Sequence, residues 1–107
     1  MHSTVKIWIS LFFLACASHA YGQITQKVVD ILTRPGVSQR MIVLSPQEPK
    51  AAVILFTGEH GGLQIFPNGS FKWGEGNFLV RTRQLFADQG FLVAVVDAPS
   101  DRQSPPY

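Results

Sequence analysis

The residues best suited to chemistry are Thr57-Gly58-Glu59-His60-Gly61-Gly62-Leu63, which follow directly on an unbroken apolar run, Ala51-Ala52-Val53-Ile54-Leu55-Phe56. In open α/β sheets ligands bind outside the carboxyl ends of the strands. Glycines there let backbone N–H groups approach a ligand and point at an anion with no Cβ in the way. Gly58, Gly61 and Gly62 therefore suit a loop that faces negative charge, with Glu59 and His60 carried inside it. His60 reads equally well as a donor to a ligand or as an exposed polar residue in a turn that needs positive φ.

Other candidates are sparser. Glu59, Glu75, Asp97 and Asp101 fall in or beside the two loops expected at the carboxyl edge, but their spacing defines no pair for general acid–base work. Asp97 ends a second apolar run, Phe91–Val96. There it either contacts a substrate or caps the following turn, and capping is the commoner use of Asp. Phe66, Phe71, Trp73 and Phe78 make the long connection aromatic. Packing over a sheet explains such residues; a sugar- or acyl-binding surface, with Trp73 as its substrate-binding candidate, is the sharper reading. Asn68-Gly69-Ser70 fits a glycosylation sequon, of consequence only in a eukaryotic host. Phosphate motifs fail, because Gly69 to Gly74 is followed by Glu75 where a Walker A needs Lys, and Gly58 is followed two positions on by His60, not Gly. No G-x-S-x-G occurs, and no His follows His60 to serve as a base.

Composition limits the remaining classes. Apolar residues make up 46% and charged residues 15%, a globular balance that excludes a disordered or collagen-like chain. A net charge of +2 without a Lys/Arg run gives no field for a nucleic-acid partner. The one Cys excludes a disulfide framework and a Cys-rich zinc module.

Residues 1–22 read as a signal peptide: a short n-region with Lys6, the apolar run Ile7–Ala17, and small residues at Ala20 and Gly22 for cleavage. The run is too short to cross a hydrocarbon core of ~30 Å comfortably. A retained anchor is the alternative, as is a lipid on Cys16, although Phe13 stands where that motif carries an aliphatic residue. Cleavage removes Cys16, His2 and His19 and leaves His60 as the one His. Thiol catalysis and a His-based metal site are then not expected, nor any cofactor. The expected location is periplasmic or secreted, with no membrane partner after cleavage.

In the remainder, 23–107, the elements that must position these residues are few. Ile24, Val28, Val29, Ile31 and Leu32 have helix-like spacing but are rich in β-branched side chains, so Gln23 to Gly36 reads as a short helix or irregular lead-in ended by Pro35-Gly36. Met41–Leu44 is apolar, and Ser45–Lys50, with two prolines, is a turn. Ala51–Phe56 and Phe91–Val96 lack alternation and read as strands buried on both faces of a parallel sheet. Between them, Asn77 as N-cap and Gly90 as the C′ residue frame a helix with Phe78, Leu79, Leu85 and Phe86 on one stripe. Strand, Gly-rich loop, helix and strand make a βαβ unit with a right-handed crossover. Three strands under one helix leave apolar faces and edges bare, so the chain reads as the front of something larger.

The segments RPGVSQRMIVLSP, AAVILFTGEHGG and NFLVRTRQLFADQGFLVAVVDAPSDR, spread between Arg34 and Pro106, resemble the N-terminal part of bacterial exported α/β-hydrolase-fold proteins. The resemblance implies a partial α/β-hydrolase-type sheet, a β-hairpin followed by βαβ, incomplete at the C-terminus. It makes Ala51–Phe56 the third strand and Phe91–Val96 the fourth, and sets Gly58, Glu59, His60, Gly61 and Gly62 where the fold builds part of its oxyanion hole. One N–H from that loop, at Glu59 or His60, would stabilise a tetrahedral oxyanion, a contribution of ~3 kcal/mol per donor. The loop is GEHGG and not the HGGG of lipases. The nucleophilic Ser, the acid and the His would lie downstream, so this chain alone is expected to hydrolyse nothing. The function implied is a serine-type hydrolase of ester- or amide-like acyl bonds with a small-molecule acyl substrate. A small exported module that binds a ligand or a protein through its aromatic loop is the alternative.

Overall fold

The computed structural model describes residues 23–58 and 62–103. The expected signal peptide, residues 1–22, lies outside the described residues, as do Glu59, His60 and Gly61 of the Gly-rich loop. The chain forms β1 (Thr25–Arg34), β2 (Val37–Ser45), β3 (Ala51–Phe56), α1 (Phe78–Asp88) and β4 (Phe91–Pro99). The sheet runs β1-β2-β4-β3. β2 is antiparallel to both β1 and β4, while β3 is parallel to β4, the two joined through α1. Among the described residues this is a mixed α/β sheet with one helix.

The lead-in is not helical. It is a ten-residue strand, paired with β2 from Thr25↔Ser45 to Leu32↔Ser38 and on to Arg34↔Val37. The adjacent pairs Val28/Val29 and Ile31/Leu32 give each face of a strand one apolar residue, a pattern that a 3.6-residue period mimics over one turn. Stiff β-branched side chains and an antiparallel partner decide for the strand. Gly36, with φ +72°, supplies the left-handed position that the Pro35-Gly36 turn requires.

The helix has the ends its sequence predicts. Asn77 Oδ1 accepts the Leu79 N–H at 3.0 Å, and Gly90, at φ +91°, donates its N–H to the Ala87 carbonyl. Its buried face differs from the expected stripe. Val80 and Ala87 are buried and Leu79 and Phe86 partly so, whereas Phe78 and Leu85 are each 62% exposed. Val80 and Ala87, seven residues apart, face the sheet with Leu79 and Phe86 beside them, while Phe78 and Leu85, also seven apart, face away.

Ile42, Leu44, Leu55, Val93 and Val95 form the core with Val80 and Ala87 from α1 and Leu63 and Ile65 from the long loop. The pairings Ile42↔Val95 and Leu44↔Val93 put these strand residues on one face. The other face carries Met41, Val43, Ala94, Val96, Ile54 and Phe56. β4, in the sheet interior, is buried from Val93 to Asp97. β3 is not buried on both faces as expected: Ile54 is 58% and Phe56 68% exposed, because among the described residues no helix covers their side.

Replacing Asn77 by Ala leaves the Leu79 N–H without its acceptor and lowers stability by about 1 kcal/mol, while Gly there costs only a few tenths. Gly90→Ala also costs about 1 kcal/mol through its left-handed backbone. The added Cβ would meet only Lys50 side-chain carbons, the nearest at 3.6 Å, an ordinary contact. Denaturant midpoints of the three variants check these values.

Candidate functional site

Asp97 lies at the carboxyl end of β4 and is 3% exposed. Its Oδ1 accepts backbone N–H groups from Leu63 (2.8 Å), Ala98 (2.8 Å) and Gln64 (3.3 Å), and its Oδ2 accepts the N–H of Ile65 at 2.9 Å. Hydrogen bonds to an ionised acceptor are the strong ones, and here they converge on one buried carboxylate. Asp97 therefore does cap its own turn through Ala98, and it also ties β4 to the chain returning from the Gly-rich loop.

Arg40 holds the same segment through a carbonyl. Its Nη1 donates to the Ile65 carbonyl at 2.9 Å, while Nε and Nη2 form a fork with Asp30 of β1 at 2.7 and 3.0 Å. A register shift explains how Arg40 and Asp97 come together. Gln39 pairs with Pro99 and Met41 with Val96, so Arg40 alone stands opposite Asp97 and Ala98. One extra residue in β4 is a bulge, which turns a side chain out of the regular ladder. Gln39 closes the gap by donating its Nε2 to the Asp97 carbonyl at 3.0 Å.

The loop is compact beyond this clamp. Leu63 and Ile65 are buried in the core, and Ile65 pairs with Phe71. The Leu63 carbonyl accepts the N–H groups of Lys72 and Trp73 at 3.2 and 3.1 Å. Gln64 is left-handed (φ +49°), alone among the described non-glycine residues. Gly74, at φ +81°, lies so close to Leu63 that a Cβ there would stand 2.5 Å from its Cδ2.

The sequence candidates are distributed as follows. Gly58 is exposed and Gly62 buried on either side of the undescribed loop residues. Trp73 is 52% exposed beneath Lys72, whose Nζ sits 5.5 Å from its ring. Trp73 and Asp97 are thus linked through Leu63, but as its backbone partners, with the Asp97 oxygens already taken by N–H groups. Asp101 forms a bidentate pair with Arg34 at 2.8 and 2.9 Å, and Glu75 is exposed. Of the four aromatics, Phe71 packs on the core, whereas Phe66, Trp73 and Phe78 are exposed. Sequence reasoning missed Asp30, Arg40, Gln64 and Gln103, which line a groove of about 400 Å³ beside Asp97. Asp30 and Arg40 become visible as a cross-strand ion pair only once β1 is read as a strand. Thr57 Oγ1, at the start of the loop, is buried without a partner among the described residues.

Among the described residues no three His, Cys, Asp or Glu side chains gather to hold a metal ion. No described helix is long and apolar enough to cross a membrane.

Asp97→Ala leaves four N–H groups without their acceptor and lowers stability by about 3 kcal/mol or more, read from a denaturant midpoint. Asp30 is held below the ordinary carboxylate value of 3.8, first by its hydrogen bond from Arg40 and then, against some desolvation, by the Arg40 charge. A depressed carboxylate contributes stability above its unfolded pKa and loses it as pH falls through the folded value. The Asp30–Arg40 contribution is therefore complete at neutral pH, starts to decline near 3.8 and is lost as pH falls through the lower folded value. Carboxyl-carbon NMR will show Asp30 titrating below a peptide Asp, and Arg40→Gln will return it towards 3.8. Comparison of the chain with protein-family models, with curated proteins and with solved structures returned no match.

Proposed function

We propose that this chain is the N-terminal part of an exported serine-type α/β hydrolase acting on ester- or amide-like acyl bonds, in which the loop Gly58–Gly62 contributes one oxyanion donor. The observation that carries the reading is the clamped return of the Gly-rich loop. A loop that leaves the carboxyl end of a parallel strand is tied by Asp97 to the carboxyl end of its neighbour. That edge is where open α/β sheets bind ligands. The order of β1, β2, β3, α1 and β4 supports it further, being the hairpin and βαβ unit that the resemblance calls for.

Attack on an acyl carbon moves charge onto the carbonyl oxygen, and fixed N–H donors at hydrogen-bond distance stabilise that charge as it develops. The N–H groups of Leu63, Gln64 and Ile65 are engaged with Asp97. The donor therefore comes from the earlier part of the loop, with Glu59 or His60 the expected residue. The nucleophile, acid and base belong to sequence after Tyr107, and without them the chain holds only a binding element.

The test is to read the coding frame beyond codon 107, express the whole product and assay it with p-nitrophenyl butyrate. A G-x-S-x-G-type elbow with a later acid and His is expected, with p-nitrophenol release abolished when the elbow Ser is changed to Ala. A frame that stops, or continues without these residues, overturns the reading.

A further inference from the structure

We infer, independently of the hydrolase reading, that Asn68 is a site of spontaneous chemical modification. Its side-chain amide is lost through attack by the Gly69 backbone nitrogen, and the residue becomes aspartate or isoaspartate. Phe66–Gly69 is a tight turn, closed where the Gly69 N–H donates to the Phe66 carbonyl at 2.9 Å, and Pro67 suits its second position. Phe66, Pro67, Asn68 and Ser70 are exposed, so water reaches the reacting groups. Two donors from Ser70 meet the Asn68 carboxamide oxygen: the backbone N–H at 3.0 Å and the hydroxyl Oγ at 2.7 Å. A backbone N–H can only donate, which fixes the atom it meets as Oδ1 and leaves Nδ2 as the amide atom turned from Ser70.

The Gly69 nitrogen gives up its proton to base and bonds to the Asn68 Cγ. The tetrahedral carbon then expels Nδ2, which takes up a proton and leaves as ammonia. Water opens the resulting succinimide at either carbonyl, so water is the one co-reactant and nothing is oxidised or reduced. Negative charge gathers on Oδ1 in the first step, where both Ser70 donors already stand, and donors fixed at a developing charge lower the barrier. Gly69 leaves the attacking nitrogen unshielded because it has no Cβ, and the turn requires glycine there. Its φ is +87°, and a Cβ would stand 3.0 Å from Gln26 Nε2. The bond from the Gly69 N–H to Phe66 opposes attack, but a turn exposed in this way opens locally at little cost. Asn77, the other Asn of the sequence, provides the contrast. Its Oδ1 takes the Leu79 N–H and, among the described residues, no hydroxyl, and bulky Phe78 follows it on a backbone held by α1.

The experiment incubates the full chain and its Ser70→Ala and Ser70→Thr variants in warm, mildly alkaline water enriched in heavy oxygen. Peptide mapping by mass spectrometry follows Asn68 and Asn77. Asn68 is expected to show the mass of an acid carrying one heavy oxygen, in separately eluting aspartate and isoaspartate peptides, at least about tenfold faster than Asn77. Ser70→Ala is expected to slow the conversion about fivefold, the value of one hydrogen bond to the developing charge, and Ser70→Thr to keep the wild-type rate. An Asn68 that stays unconverted, or converts no faster than Asn77, overturns the inference. Equal rates in wild type and Ser70→Ala overturn the part given to the Ser70 hydroxyl. If neither variant folds, the comparison of Asn68 with Asn77 within the wild-type chain decides.

Discussion

The buried Asp97 carboxylate is the interaction on which the return arm of the long connection, Leu63–Ile65, depends. A charge at 3% exposure is tolerated only when hydrogen bonds replace its lost water, and four backbone N–H groups do so here. The dependence runs both ways. The return arm cannot leave without stranding the carboxylate, and the carboxylate cannot turn away without stranding the N–H groups. Strand β4 and the loop after β3 therefore behave as one unit, although about thirty residues separate them along the chain.

The sheet prepares this arrangement. With β2 antiparallel beside β4, the register shift between Gln39 and Met41 brings Arg40 alongside Asp97, so the carboxylate takes the Ile65 N–H and the guanidinium takes the Ile65 carbonyl. Hydrophobic burial supplies the rest. Leu63 and Ile65 carry the loop into the cluster formed by Ile42, Leu55, Val80 and Val95. The helix covers that face alone, leaving Ile54 and Phe56 of β3 exposed on the other.

Legibility from sequence followed the range of each interaction. Asn77 and Gly90 were recognisable because capping involves only groups within a few residues. The strands β3 and β4 were recognisable from unbroken apolar runs bounded by Gly and Asp. The β1 strand was not, since its apolar pairs satisfy a helical period as well as a pleated one until β2 lies beside it. The face of α1 was misjudged for a related reason. Phe78 and Leu85 outrank Val80 and Ala87 in hydrophobicity, but the smaller pair is the one buried, with Leu79 and Phe86 beside it, because the sheet lies under that face.

The sequence by itself determined the local signals: a Gly-rich loop following an apolar strand, a capped helix, and an Asp at the end of the second apolar run that would serve a turn. Only the tertiary structure decided that Asp97 reaches back to Leu63, Gln64 and Ile65, and that Arg40 and Asp30 join it. The physical reason is that these contacts arise from a strand pairing and a register shift. A single chain read in order shows which groups need partners, while the sheet chooses the partners by bringing distant backbone within hydrogen-bond reach.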